Sequence, residues 1–526
     1  MDNLPKDDSL PEQSSKQPSG DIFSSPASAY QQATEVPQEQ QEAVVEQEIA
    51  EPQEQPPPVE GAPPPSENVP PPPPYVEDSR KKYIFIALAI ITVIILIFLA
   101  ARLFLKKPAK PPENVTLTYW GLWEDKDLIQ PIFDDYKRLH PNVTVNYVKQ
   151  DPKQYRERVA AAIERGEGPD IYRFHNTWIP MIYQYLAPMP KNVYSDAEYE
   201  KIFYPTAVAE LKVGGNYYGI PLEIDGLLLF YNEDILKSAA VSVPSTWDDV
   251  QNVVPKLTVK EKGRIVTSAI ALGTAENIEH FSDILGLMML QNGTKLSQSL
   301  FSCTDKTVTT CALEALSFYR KFAEAPNNTW DETLENSIVA FAGGKVGMIL
   351  APSWEVYTIK AIPGGDKINF KTAKIPQLPC DKEPCRTVNW ATYWVEGVSN
   401  RTKNASYAWD LLKYLSQNDT MQKLYSQQVK YRKLFGEPYS RVDLGKSLSD
   451  NPYLAPLISS APTMKSFYFA SRTNDGDTGI DSSLIKYLKD AVNSLATGVS
   501  PETALKTVDN GLKQVFGRFN ISSPAQ

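Results

Sequence analysis

Between Tyr217 and Val250 the chain reads YYGIPLEIDGLLLFYNEDILKSAAVSVPSTWDDV, and this stretch limits the possible folds more than any other. An extended piece ends at Pro221. Two carboxylates follow at alternate positions, Glu223 and Asp225, and then Gly226–Phe230 runs apolar up to Tyr231-Asn232. Side chains two apart on a strand share a face, so the two acids point the same way. Acids followed directly by core-type strand describe a strand crossing from one compact unit into another, with the acids lining a cleft at the crossing. Beyond it, Glu233–Ser238 predicts a short helix, and Ser245-Thr246-Trp247-Asp248 predicts a helix start after the turn at Pro244.

From Val115 onward the pattern is α/β. Val115–Trp120 alternates as a strand does. Leu128, Ile129, Ile132, Phe133, Tyr136 and Leu139 recur at helical spacing, with Pro131 tolerable only in a first turn. Val143–Val148 predicts a second strand, Tyr155–Arg165 a helix stopped at Gly166, and Asp170–Phe174 a third strand. Strand–helix–strand repeats of this kind pair in parallel with right-handed crossovers. Ligands of open sheets sit at the carboxyl ends of such strands. Those ends are Trp120-Gly121-Leu122-Trp123-Glu124-Asp125 and Phe174-His175-Asn176-Thr177-Trp178, both rich in aromatic and polar groups.

Charge and composition separate the rest of the chain from this part. Residues 1–80 carry 16 Asp or Glu against three Lys or Arg, a net of −13, whereas the whole 526-residue chain is −10, so everything after residue 80 sums to +3. That balance offers no basic field for nucleic acid. The first 80 residues also hold 17 of the 43 prolines and no Trp. Such a segment cannot bury enough apolar surface to offset the entropy of ordering it, and its proline runs favour polyproline II. Tyr83–Ala101 then gives 19 residues without a charge, about 28 Å of helix at ~1.5 Å per residue, enough to span hydrocarbon. Eighty residues precede it, which suits an uncleaved anchor better than a signal peptide. Lysines and arginines flank both ends, so charge alone leaves the orientation open. All four cysteines follow, in two close pairs: Cys303 with Cys311, and Cys380 with Cys385. Short local pairs suit two disulfides in an oxidising compartment. None of the three histidines has metal-ligand spacing to them.

The opening stretch resembles the hinge-crossing segment of family 1 extracellular solute-binding proteins, the maltose-binding-protein-like receptors of bacterial ABC importers. The shared residues are Ile220-Pro221, Tyr231-Asn232, Asp234 and Pro244-Ser245-Thr246-Trp247-Asp248; Ile235-Leu236 and Asp249 stand where Phe and Glu are common. Four further segments fit in the family's order. They are Trp120 to Asp125 with Gly168-Pro169-Asp170, then Phe341–Met348 followed by Trp354, then Val388–Val395 before a helix Ala405–Ser416, and then Ser471–Asp481 before a helix Ser483–Ala496. The resemblance covers roughly residues 115–520. It implies an α/β, two-lobed periplasmic-binding-protein-like fold (type II), preceded by a disordered tail over 1–80, a transmembrane helix over 81–105 and a linker over 106–114. The implied N-lobe takes 115–223 and 388–450, and the implied C-lobe 224–387 and 451–520. A receptor of that kind faces outward, with the tail in the cytoplasm.

The resemblance further implies a mono- or oligosaccharide ligand, ABC permease subunits as partners, and a two-lobe closure about the ligand. A sugar offers apolar ring faces and a circle of hydroxyls, which flat aromatics, carboxylates, amides and Arg satisfy. The segments named supply Trp120, Trp123, Trp178, Trp354, Trp390 and Tyr393, with Glu124, Asp125, His175, Asn176, Glu223, Asp225, Arg472 and Asp475. Asp225 stands where the resemblance places a sugar-contacting acid. Core packing competes as a reading for every aromatic, and for Trp394 it is the stronger, because Tyr393 and Trp394 point to opposite faces of a strand. Catalytic signatures, metal sites and cofactor motifs are absent from the sequence, and acids two apart on one strand are too tied together to flank a glycosidic bond. A surface sensor or adhesin signalling through the tail is the alternative to transport. Asn-x-Ser/Thr sequons occur at Asn114, Asn142, Asn292, Asn327, Asn400, Asn404, Asn418 and Asn520, from which a bacterial family resemblance alone draws nothing.

Overall fold

The computed structural model describes residues 80–104, 113–380 and 385–521. The tail over 1–80 and the linker over 106–114 lie almost wholly outside them. The chain divides into two units, residues 1–106 and 107–526. In the first, the described element is a helix, Arg80–Phe104, with side chains described from Tyr83 to Phe98. Between Tyr83 and Phe98 its large apolar side chains are all exposed, from 52% at Ile95 to 73% at Phe85. Among the described residues no helix is long and apolar enough to cross a membrane. For Arg80–Phe104 this concerns the sixteen positions whose side chains are described.

The second unit holds two five-stranded sheets and two short pairs. Its strands are β1 (Val115–Gly121), β2 (Val143–Lys149), β3 (Ile171–His175), β4 (Lys212–Val213), β5 (Asn216–Tyr217), β6 (Ile220–Pro221), β7 (Leu227–Asn232), β8 (Val259–Glu261), β9 (Arg264–Ile270), β10 (Val346–Pro352), β11 (Phe370–Ala373), β12 (Asn389–Trp390), β13 (Trp394–Val398) and β14 (Met464–Lys465). The first sheet runs β2-β1-β3-β13-β6 and the second β11-β7-β10-β9-β8. β1, β2 and β3 are mutually parallel, as their strand–helix–strand order requires, while β13 runs antiparallel to β3. β7 and β10 are antiparallel neighbours at the centre of the second sheet. Leu227–Phe230 and all of Val346–Pro352 are buried, which is why these segments read as apolar runs without alternation.

Local chemistry sets most element ends. Glu233–Ser238 is a helix whose cap, the Asn232 side chain, accepts from the Asp234 and Ile235 amides. Trp247–Leu257 starts on a capping box of Thr246 and Asp249. Tyr155–Glu164 stops before Gly166, whose φ of +73° suits a residue without a Cβ. Two expectations change. The helix Lys126–Leu139 begins earlier than its apolar stripe, so Pro131 lies in the second turn, and its ring nitrogen leaves one carbonyl of the first turn without a helical donor. The last-but-one helix begins at Ile480 rather than Ser483, because the buried Asp475 carboxylate accepts from the Asp481 and Ser482 amides and caps it from outside. Cys303–Cys311 and Cys380–Cys385 are both disulfides.

The stretch Tyr217–Val250 joins the two sheets. Ile220–Pro221 belongs to the first and Leu227–Asn232 to the second. The single crossing strand expected from the sequence is instead two strands around an irregular turn, held by isolated bridges from Glu223 to Tyr439 and from Gly226 to Ala391. A Cβ on residue 226 would sit 1.9 Å from the Trp390 carbonyl oxygen, so only glycine lets the two chain segments touch there. A second connection runs alongside: β12 pairs with β14, β13 enters the first sheet, and between them the Thr392 amide donates to the Asp225 carbonyl at 2.9 Å.

Candidate functional site

The carboxyl ends of β1, β3 and β10 and the turn between β6 and β7 open on one cleft of about 490 Å³. From the first sheet's side come Trp123, His175, Glu223 and Trp394, and from the second Ser353, Trp354 and Tyr357. The loops 432–438 and 471–474 close the ends. This is the placement that strand-end geometry favours for a ligand.

Trp354 is the open ring of the cleft. It is 38% exposed and stands edge-on to His280 at 5.6 Å, at the start of the helix Glu355–Ala361. His280 fixes this wall: its Nδ1 meets the Ser471 hydroxyl at 2.8 Å and its Nε2 meets Glu355 Oε1 at 3.0 Å. Across the cleft Trp394 packs edge-on against Trp123 (5.2 Å), His175 (5.2 Å) and Trp178 (5.5 Å). The core reading of Trp394 is therefore corrected. Alternation does split Tyr393 from Trp394. However, β13 starts at Trp394 directly opposite His175, and this turns the tryptophan to the cleft while Tyr393 is buried and donates its hydroxyl to Glu210 at 2.8 Å.

The two alternate acids both reach the cleft. Asp225 accepts from the Gly226 amide (2.7 Å), the Ser353 amide (3.1 Å) and the Ser353 hydroxyl (2.8 Å). Burial outweighs these bonds and pushes its carboxyl up to about 6. Glu223 accepts from the Trp394 amide at 2.9 Å. Burial, then the Glu437 carboxylate beside it, and then Asp225 hold it well above the usual carboxylate range. His175 is neutral, its imidazole pushed down to about 3 by burial. Its Nδ1 accepts from the Thr177 amide at 3.4 Å and lies 2.8 Å from the Thr177 hydroxyl, which contacts Asp481 at 2.6 Å, while Nε2 lies 2.9 Å from the Thr392 hydroxyl.

Under the floor runs a buried charge network. Arg173 on β3 binds Glu396 on β13 at 2.5 Å and Glu124 at 2.8 Å, and Glu437 binds Arg432 at 3.0 Å. Burial raises Glu124 to about 7, with Glu437 adding to the rise against Arg173. Burial acts on Glu437 too, yet Arg432 and Arg173 together pull it down to about 2. Burial thus favours the protonated form of Glu124, while the two guanidiniums favour the ionised form of Glu437.

Of the candidate residues, Trp123, His175, Glu223, Asp225, Trp354 and Arg472 line this cleft. The others do not. Trp120 is half-buried against the core, and Trp178 is inside it. Glu124 lies beneath the floor. Asp125 is at the surface with Lys149 and Tyr431. Asn176 faces a second groove, donating to Glu210 and Ser466. Trp390 is core, its indole N–H on Asp283 at 2.9 Å, and Asp475 is the helix cap described above. Sequence reasoning passed over Thr392, Ser353, Tyr357, Arg432, Phe435, Glu437, Ser471 and Asn474. Ser353 and Ser471 adjoin residues that were singled out, so position could have found them. Arg432 ends the helix Asn418–Arg432, and Lys433 to Pro438 follow in a loop with no periodic signal. Among the described residues no group of three or more His, Cys, Asp or Glu could hold a metal.

Such a cleft can stack flat apolar faces and hydrogen-bond several hydroxyls at once. Comparison with known proteins agrees with the fold. A probable ABC transporter-binding protein of Deinococcus radiodurans is 25% identical over 441 residues, 78% of this chain and 96% of its own length. The maltodextrin-binding protein MdxE of Bacillus subtilis is 26% identical over 299 residues, 55% of this chain and 66% of its own. The solved sugar-binding protein MalE of Xanthomonas citri superposes with a TM-score of 0.61 at 18% identity, over 77% of this chain and 98% of that one, and so shares the two-lobed α/β fold. The family model described as bacterial extracellular solute-binding protein matches residues 132–432, more than half of the chain. By that match the chain belongs to the bacterial extracellular solute-binding protein family.

Proposed function

We propose that this chain is a membrane-anchored extracytoplasmic receptor that captures a carbohydrate between two lobes and delivers it to an ABC-type importer. The observation that carries the reading is the cleft itself. An exposed indole, Trp354, faces a wall of Trp123 and Trp394 across a floor of Asp225, Glu223 and Thr392. Indole faces cover the apolar faces of a pyranose, and the floor groups accept from and donate to its hydroxyls. The names of its relatives, a maltodextrin-binding protein and an ABC transporter-binding protein, point to the same class of ligand and the same partner. Anchoring is supported by the uncharged run Tyr83–Ala101 and by the exposed apolar side chains from Tyr83 to Phe98.

Isothermal titration against linear glucans and a panel of other mono- and oligosaccharides tests the ligand class. Trp354→Ala should weaken binding about tenfold or more, the loss of a stacking contact worth roughly 1–2 kcal/mol with its buried area, while leaving the fold intact. No heat from any sugar would end the carbohydrate reading. For the anchor, the chain should stay in membranes through alkaline carbonate extraction. Protease added to intact cells should cut the receptor and spare the tail.

A further inference from the structure

We infer that this chain carries N-linked glycans, grouped on the edge of its first sheet that lies away from the cleft. From residue 113 onward there are 23 asparagines and 57 Ser or Thr among 414 residues, and chance placement would give about three sequons. There are eight, and the first 112 residues contain none. None of the eight asparagines is buried.

Topology collects four of them. β1 and β2 begin side by side at Val115 and Val143, and the Val115 amide donates to the Asn142 carbonyl at 2.8 Å, so Asn114 and Asn142 stand together where the strands start. β13 runs the other way and ends at Val398 opposite Ile171, the first residue of β3 and the partner of Tyr119, so Asn400 and Asn404 emerge at the same end of the sheet, four residues along β1 from Val115. The cleft residues Trp123, His175 and Trp394 stand at the opposite ends of these strands, roughly 13–20 Å away at ~3.3 Å per residue. Glycans at the starting edge leave the cleft mouth clear.

Hydrogen bonding then separates Asn292 from the edge positions. Transfer from a lipid-phosphate-linked oligosaccharide breaks the sugar's C1–O bond to phosphate and forms a C1–Nδ2 bond. One amide proton leaves with the lipid phosphate, and one N–H remains. Asn142 donates one bond, to the Glu113 carbonyl, Asn400 one, to Gln184, and Asn404 one, to Asp170, and a secondary amide can keep each. Asn292 spends both its N–H groups, on the Cys311 carbonyl and on Glu314, and its Thr294 is 2% exposed. The folded chain therefore accepts glycans at Asn114, Asn142, Asn400 and Asn404 and refuses one at Asn292. The inference does not depend on what the cleft binds.

The full chain purified from membranes of the organism that makes it, cut with trypsin and read by glycopeptide mass spectrometry, tests this. Hexose-bearing peptides at two or more of the four edge positions, with the Asn292 peptide unmodified, are the expected result. The quadruple variant N114Q/N142Q/N400Q/N404Q expressed in the same organism should lose that mass and keep its sugar affinity within twofold. An intact mass equal to the sequence mass would overturn the inference, and so would glycan at Asn292 with none on the edge.

Discussion

Glu124 is the residue whose chemistry reaches furthest, although it does not touch the cleft. Burial raises its carboxyl to about 7, while Arg432 and Arg173 pull the neighbouring Glu437 down to about 2. Unfolded, both would lose their protons near 4.3. Between roughly pH 4.3 and 7 this pair therefore holds one proton more in the folded chain than in the unfolded one, and its contribution to stability falls as pH rises, by on the order of 1 kcal/mol per pH unit. Asp225, raised to about 6, acts in the same direction between about 3.9 and 6. Glu124→Gln mimics the protonated form: its carbonyl can accept from Arg173 and its amide can donate to Glu437. Urea melts without ligand should show this variant with a flatter pH profile from 5 to 8 and more stable than the parent at pH 8. An unchanged slope would mean the proton sits elsewhere. None of this network was legible in the sequence. Arg173 reads as an odd charge inside a strand, and Glu437 lies 264 residues further on in a loop, so only folding makes them neighbours. Asp225, Glu223 and Trp354 were legible because each adjoins an apolar run that fixes which way it points.

At the scale of elements, the two sheets are most sensitive where their connections touch. Gly226 and Ala391 bridge, the Thr392 amide binds the Asp225 carbonyl, and a side chain at 226 would collide with the Trp390 backbone and with Met464. Gly226→Ala should cost roughly 2–4 kcal/mol, since the obstacle is backbone that cannot rotate away. Gly214→Ala meets nothing within 4 Å and carries only the strain of its φ of +55°, so its cost should stay near 1 kcal/mol. Chemical denaturation of both variants measures the difference, and equal losses would show that the crossing tolerates movement. The strands and helices around this point were readable from period and caps, as with Glu233–Ser238, whose ends fall where the sequence placed them. The crossing was not readable as built. A run of buried residues from Ile220 to Phe230 gives no sign that it breaks, because the break is imposed by Tyr439 and Ala391 bridging to it from distant parts of the chain.

For the molecule as a whole, what matters is how few chain segments join the halves of the receptor unit and where the ligand groups stand relative to them. Trp123, His175 and Trp394 sit on strand ends of the first sheet, Ser353 and Trp354 on those of the second, and Glu223 and Asp225 lie on the connection itself. A ligand that touches both walls gains contacts only when the walls approach, so its binding energy is available to bias the angle between them. Rotation about a short irregular segment such as 222–226 needs only a few backbone dihedrals to change, whereas each sheet keeps its own register. Residues 107–526 form a unit of their own, which allows the measurement without the membrane. A compact fold of that length has a radius of gyration near 22 Å. Small-angle scattering should record a fall of about 1 Å when saturating sugar is added, and Trp354→Ala should need about tenfold more sugar to reach the same fall. A saturated parent whose scattering curve does not move would mean that the cleft binds as a rigid groove. The turn between β6 and β7 would then be a brace holding the two sheets at one fixed angle.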